Sequence, residues 1–296
     1  MNVFGPIMTA MVTPFDEYNQ LNINSLKKLI IHLLKNGTTS LVVTGTTGEA
    51  PTLNATERLR VWETAVDFAS GSIPVIAGVG TNNTKTTLHN IKLAEEVGVD
   101  ALLVVTPYYN KPNQQGLISH YTQLAQSTDL PIILYNVPGR TGVTFELDTL
   151  AQLAQEKNIV GIKDANGNLN LISQLKEIAP SNFVFYTGDD TDYLETLKLG
   201  GAGVISVASH LAGLQMTRIF EAYKKGQLEE ATRRNEILVP LYRAMFHTTN
   251  PIPVKAMLNQ IGINVGSLRL PLVELNQLES AELFNEIKHL IDQEYF

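Results

Sequence analysis

Short β-branched runs alternate with longer amphipathic stretches along most of this chain, and no other feature constrains its fold as tightly. The runs are Pro6–Val12, Ser40–Thr44, Pro74–Gly78, Ala101–Thr106, Pro131–Asn136, Ile159–Asp164, Phe183–Thr187 and Gly203–Ser206. Helical patterns fill the intervals at Ser25–Asn36, Ala55–Ala69, Lys85–Val97, Gly116–Gln126, Leu147–Glu156, Leu169–Ile178 and Asp192–Leu199. Successive strands begin roughly 30 residues apart, the spacing that a helical crossover between parallel strands requires. The runs are mostly apolar rather than alternating, as expected of strands buried on both faces. Eight uninterrupted units predict an α/β fold, a (β/α)8 TIM barrel with a C-terminal helical extension, over an open doubly wound sheet. After Ser206 only helical patterns remain, at Gln215–Lys225, Leu228–Phe246, Pro253–Gln260 and Ala281–Glu294. Residues 1–225 therefore read as the barrel and 226–296 as the extension. Asn24-Ser25 is expected to open the first helix and Asn36-Gly37 to close it. Asn54, with Glu57 three residues on, has the pattern of a capping box.

Composition removes several classes of function. The chain has no cysteine, so a disulfide framework, a thiolate zinc site and a cysteine nucleophile are excluded together. A net charge of −7 without a Lys/Arg cluster argues against nucleic acid. No uncharged apolar run reaches the roughly 18 residues of a membrane span, and Met1–Phe15 lacks the pattern of a signal peptide. A cytoplasmic protein is expected. The six histidines are scattered and none falls on a strand end. Asp189, Asp190 and Asp192 lack metal-site spacing and read as helix caps. No metal and no organic cofactor is expected.

In such a barrel, polar residues at the C-terminal ends of the strands are the functional candidates. They are Thr13, Gly45–Glu49, Gly80–Asn82, Tyr108–Asn110, Tyr135-Asn136, Lys163-Asp164, Gly188–Asp190 and Ser206. Lys163 ends the apolar run Ile159–Ile162 and alternates in phase with Gly161, so its side chain points into the barrel. Burial disfavours the charged ammonium, and a neutral amine on a rigid strand can attack a ketone to form an iminium. A salt bridge to Asp164 or another strand-end acid is the alternative. Tyr135 ends the preceding strand, where its phenol either shuttles protons or fills the barrel top. The Gly45–Glu49 turn lets backbone N–H groups approach an anion but lacks the lysine of a phosphate loop. Gly200–Gly203 precede their strand and read as structural.

Gly45-Thr46-Thr47-Gly48-Glu49, Tyr135-Asn136-Val137-Pro138-Gly139-Arg140-Thr141 and Gly161-Ile162-Lys163-Asp164 together resemble the N-acetylneuraminate lyase superfamily of pyruvate-dependent class I aldolases. Within it the chain is similar to the dihydrodipicolinate synthase family, from about Gly5 to about Leu270. Val105–Asn110 and Asn250–Lys255 extend the likeness. The resemblance implies that Lys163 forms an imine with pyruvate, whose carboxylate sits at Thr47 and the Ile205 backbone, with Gly188 among the substrate-binding positions. It implies that Tyr135 transfers protons, linked through Thr46 to a Tyr109 that reaches in from a partner subunit. A homodimer or homotetramer follows. Arg140 would pair with the carboxylate of L-aspartate 4-semialdehyde, a bidentate match. An aldolase for a sugar acid shares Lys163 and Tyr135, but offers hydroxyls where Arg140 suits a second carboxylate. A non-catalytic relative would be suspected if Lys163, Tyr135 or Thr46 were replaced, and none is.

The resemblance also bears on feedback by lysine. Lysine-inhibited members bind it in an intersubunit cleft that maps onto Ala50, Pro51, Ala55, Arg58, Asn82, Thr86 and Tyr108. Asn82 and Tyr108 match those members. Thr86 stands where they place a glutamate, and Ala55 and Arg58 where they place histidines. Weak inhibition or none is expected.

Overall fold

The computed structural model describes residues 4–292. Eight parallel strands close on themselves in sequence order. They are β1 (Ile7–Ala10), β2 (Ser40–Val43), β3 (Val75–Gly78), β4 (Ala101–Val105), β5 (Ile132–Asn136), β6 (Ile159–Asp164), β7 (Val184–Thr187) and β8 (Gly203–Ser206). The helices α1 (Ile23–Lys35), α2 (Ala55–Ala69), α3 (Thr84–Val97), α4 (Gln114–Ala125), α5 (Pro138–Thr141), α6 (Leu147–Leu153), α7 (Asn170–Ile178), α8 (Tyr193–Lys198) and α9 (Ser209–Lys224) follow their strands. Three more, α10 (Leu228–Ala244), α11 (Ile252–Gln260) and α12 (Gln277–Asp292), form the C-terminal part.

Each strand side chain has one of two destinations because the pleat has period two. Met8, Ala10, Val42, Ile76, Ala101, Leu103, Ile133, Tyr135, Tyr186 and Ile205 pack inside the barrel. The intervening residues, such as Ile7, Leu41, Val43, Val75, Leu102, Leu134 and Ile162, pack outward against the helices in a second and larger core. Dry surroundings on both faces explain the near-continuous apolar runs. The register places Tyr135 beside Lys163 and Lys163 beside Tyr186, so three strands deliver side chains to one layer.

Helix ends follow local chemistry. The capping box at α2 forms in both directions, with Asn54 accepting from Glu57 N and Glu57 accepting from Asn54 N. The first helix starts earlier than Asn24-Ser25: Asn22 is its cap, accepting from the Ser25 amide at 3.0 Å. Helix α9 begins at Ser209, six residues before the expected Gln215, and kinks at Ala212. Helix α6 stops at Leu153, short of Glu156, and α12 begins at Gln277 rather than Ala281. Glu294, the expected end of that last helix, lies outside the described residues. Helix α5 spans only four residues, too few to show a helical period.

Two histidines belong to this scaffold. His210 accepts from the Val12 amide through Nε2 at 3.1 Å, and its Nδ1 donates to Val207 O at 2.8 Å. His120 pairs through Nδ1 with the Thr84 hydroxyl. Burial pulls both imidazoles down to about 4, so both fold neutral. An unfolded histidine titrates near 6.5, so between these values the unfolded chain holds more protons and stability rises with pH. The contribution is complete above about pH 6.5 and is lost as pH falls towards 4, by at most roughly 3 kcal/mol per residue. The melting temperature should therefore drop between pH 6.5 and 4.5, and His120→Gln should flatten that drop. An unchanged slope in thermal unfolding of the variant would contradict the assignment.

Candidate active site

The C-terminal ends of the strands open into a cleft of about 480 Å3. Its wall includes Thr44, Gly45, Thr46 and Glu49 from the turn after β2, Tyr108 from the loop after β4, Tyr135, and Arg140 on α5. Thr249, Asn250, Pro271 and Leu272 from the C-terminal part complete it. Lys163 lies beneath, 6% exposed, with Nζ 4.4 Å from the centroid of the Tyr135 ring. The alternative of an ion pair with Asp164 is not realised. Asp164 falls on the opposite face of β6, where it accepts from Asn136 Nδ2 at 2.6 Å and from the Asn166 amide. Burial raises the Asp164 carboxyl above its ordinary range, and those two donors oppose the rise. Among the described residues Lys163 forms no ion pair.

Gly188 abuts the lysine: a Cβ there would stand 3.0 Å from Lys163 Cε and 2.8 Å from Ala165 Cβ. Ile205 lies inside the barrel with the Tyr135 and Tyr186 cluster. Thr47 is buried beside the cleft, and its Oγ1 accepts from Asn250 Nδ2 at 2.9 Å. Arg140 donates to the Asn250 carbonyl at 3.2 Å and has no carboxylate partner among the described residues. Tyr109 departs from the rest. It is 89% exposed, and no hydrogen bond joins Tyr135, Thr46 and Tyr109 among the described residues.

Backbone strain concentrates around this cleft. Thr44, Glu49, Tyr109 and Lys111 all adopt positive φ, which for β-branched Thr44 (φ 53°) costs on the order of 1–2 kcal/mol. Thr44 is held there by a hydrogen bond to Gly78 O at 3.0 Å and by one from Trp62 Nε1 at 2.8 Å. Gly78 permits the approach, since a Cβ would meet Thr44 O at 2.5 Å.

The turn after β2 is further held by contacts that the sequence motifs do not reveal. Glu49, 2% exposed, pairs with Lys255 at 2.6 Å, and its other oxygen accepts from the Arg269 amide at 3.0 Å. Lys255 Nζ and the Arg269 guanidinium lie 4.4 and 4.1 Å from the Phe15 ring centroid. Arg269 also forks onto Glu57. Lys255 stands in the apolar run Ile252–Leu258, which is the same signal that singles out Lys163. Of the three expected caps, Asp189 accepts from the Thr191 amide and buried Asp190 accepts from the Val207 and Ala208 amides ahead of α9, but Asp192, which precedes α8, makes no side-chain cap hydrogen bond. Among the described residues no cluster of His, Asp or Glu could hold a metal ion. No helix there is long and apolar enough to cross a membrane.

A profile of the Dihydrodipicolinate synthetase family matches residues 3–290. The 4-hydroxy-tetrahydrodipicolinate synthase 1 of Halalkalibacterium halodurans is 47% identical over 283 residues, covering 96% of each chain. The crystal structure of a dihydrodipicolinate synthase from Bacillus anthracis superposes with a TM-score of 0.95 at 42% identity, covering 97% of this chain and 99% of that one. A structure of the enzyme from Cyanidioschyzon merolae with lysine bound superposes equally well at 38% identity, covering 97% and 98%.

The Glu49–Lys255 pair yields a stability test. Removing either partner strands a buried charge, at a cost of roughly 3–5 kcal/mol. Lys255→Met and Glu49→Gln should each lower the melting temperature sharply, while the double variant should lose much less than the two together. Additive losses in calorimetry would show that the pair is not coupled.

Proposed function

The chain belongs to the dihydrodipicolinate synthetase family, and we propose that it condenses pyruvate with L-aspartate 4-semialdehyde as a Schiff-base-forming lyase. The observation that carries this reading is Lys163, a buried amine inside the barrel, stacked on Tyr135 and without a carboxylate partner among the described residues. Its Nζ adds to the C2 carbonyl of pyruvate and water leaves, giving an iminium. Tyr135 gives its phenol proton to the departing hydroxyl as the iminium forms, and the resulting phenolate takes a proton from C3 to give the enamine. The enamine carbon attacks the aldehyde, and the new alkoxide is protonated. The amine of the second substrate finally adds to C2 and releases Lys163.

Other residues take positioning roles. Thr47 and the Ile205 backbone receive the pyruvate carboxylate, and Gly188 leaves the space beside the lysine that a side chain would fill. Arg140, at the cleft wall and without a carboxylate partner among the described residues, receives the carboxylate of the semialdehyde. Thr46 and Tyr109 extend the proton path from Tyr135. The exposure of Tyr109 favours its service in a partner's site, in a homodimer or homotetramer. The barrel over residues 1–225 carries the chemistry, and 226–296 braces it. A cytoplasmic location suits a biosynthetic enzyme of this kind.

Lysine feedback should be weak. Arg58, Tyr108, Ala50 and Pro51 line the cleft, whereas Ala55, Asn82 and Thr86 do not line it in the single chain. A guanidinium there opposes the two ammonium groups of lysine. In a coupled assay, L-lysine should give half-inhibition only above the submillimolar range. Inhibition within that range would defeat this part of the proposal.

Borohydride added with pyruvate should inactivate the enzyme and place a reduced pyruvyl group on Lys163, read by peptide mass. A modified peptide that lacks Lys163, or full activity in Lys163→Ala, would sink the central assignment.

A further inference from the structure

We propose that Asn250 fixes the direction of the hydrogen bond at Thr47, so that the threonine hydroxyl is kept as a donor for the pyruvate carboxylate. A threonine hydroxyl has one proton, two acceptor positions and a free rotor. In a buried site its role depends on its neighbours. Asn250 Nδ2 lies 2.9 Å from Thr47 Oγ1 and can only donate. One acceptor position of Oγ1 is thereby filled, and the hydroxyl proton is turned away from Asn250. That proton is then available to an incoming anion.

Two further observations support a positioning role. Asn250 is 5% exposed, and its Oδ1 is buried with no hydrogen-bond partner among the described residues. Turning the amide would give Oδ1 the Thr47 proton, whereas the structure sets Nδ2 towards Thr47. An unsatisfied buried acceptor needs a reason, and the donor it places on Thr47 supplies one. Asn250 also separates two tasks within one residue. Its side chain meets Thr47, while its main-chain carbonyl accepts from Arg140 at 3.2 Å. A side-chain substitution therefore reaches the pyruvate end of the cleft and spares the semialdehyde end.

The inference rests on Thr47 as the pyruvate-carboxylate residue, and the experiment separates the two. Asn250→Asp is nearly isosteric but can only accept, so it takes the Thr47 proton and sets a carboxylate against the substrate's own. Pyruvate KM, and the pyruvate concentration for half-maximal borohydride trapping, should rise at least roughly 10-fold. The semialdehyde KM should move less than roughly threefold. Asn250→Ala guards against misfolding of the aspartate variant and should raise pyruvate KM while leaving the semialdehyde KM within the same limit. In a Thr47→Ala background, adding Asn250→Ala should change pyruvate KM by less than roughly twofold. Equal rises in both KM values, additive effects of the two alanines, or pyruvate affinity kept in both Asn250 variants would each overturn the proposal. Thr47→Ala with unchanged pyruvate affinity would instead defeat the reading of Thr47 itself, and this inference with it.

Discussion

The register between β5, β6 and β7 is the constraint on which the chemistry depends. It sets Tyr135, Lys163 and Tyr186 side by side on one inward layer. A slip of one residue would turn Lys163 into the helix layer and bring Asp164 inside. The closed barrel resists that slip, because every strand is paired on both edges. Outside the barrel, Asn136 donates to Asp164 between the same two strands and holds the alignment from the opposite face. The amine is thus presented in a dry interior by a framework whose rigidity is shared over eight strands.

The cleft above that layer is made of less regular backbone. The turn after β2 carries two residues at positive φ, Thr44 and Glu49, and would not hold this shape alone. Trp62 of α2, Lys255 of α11 and Arg269 beyond it supply the partners. Both cations also lie over the Phe15 ring. Opposite, Asn250 reaches both Thr47 and Arg140. The C-terminal part therefore contributes to the site from several directions, although the strands deliver the lysine.

The eight strands were legible because their apolar runs are short and evenly spaced, and each survives with its ends moved by at most two or three residues. Lys163 was legible for a related reason: a charged residue in phase with Gly161 on a buried strand breaks the local rule. Caps were harder. Asn22 and Asn24 offer the same side chain two residues apart, and only the geometry of the entering chain selects the first. Helix α5, which carries Arg140, is too short for any period. Lys255 and Asn250 stood in the sequence only as the ends of a shared motif, and their contacts were hidden for another reason. Their partners lie about two hundred residues away in sequence, and no local pattern pairs Lys255 with Glu49 or Asn250 with Thr47.

That separation in sequence has a consequence for how the molecule comes into being. The barrel can close once Ser206 has emerged, but Asn250, Lys255 and Arg269 follow later, Arg269 by roughly sixty residues. At about 5–20 residues per second, translation leaves the closed barrel without them for some seconds. During that interval Glu49 is a carboxylate with no counterion, and water is the only solvent for it. The turn after β2 gains its Lys255 and Arg269 contacts only when the C-terminal part of the chain docks. The support of this turn is thus completed later in the synthesis of the chain than the strands that carry Lys163.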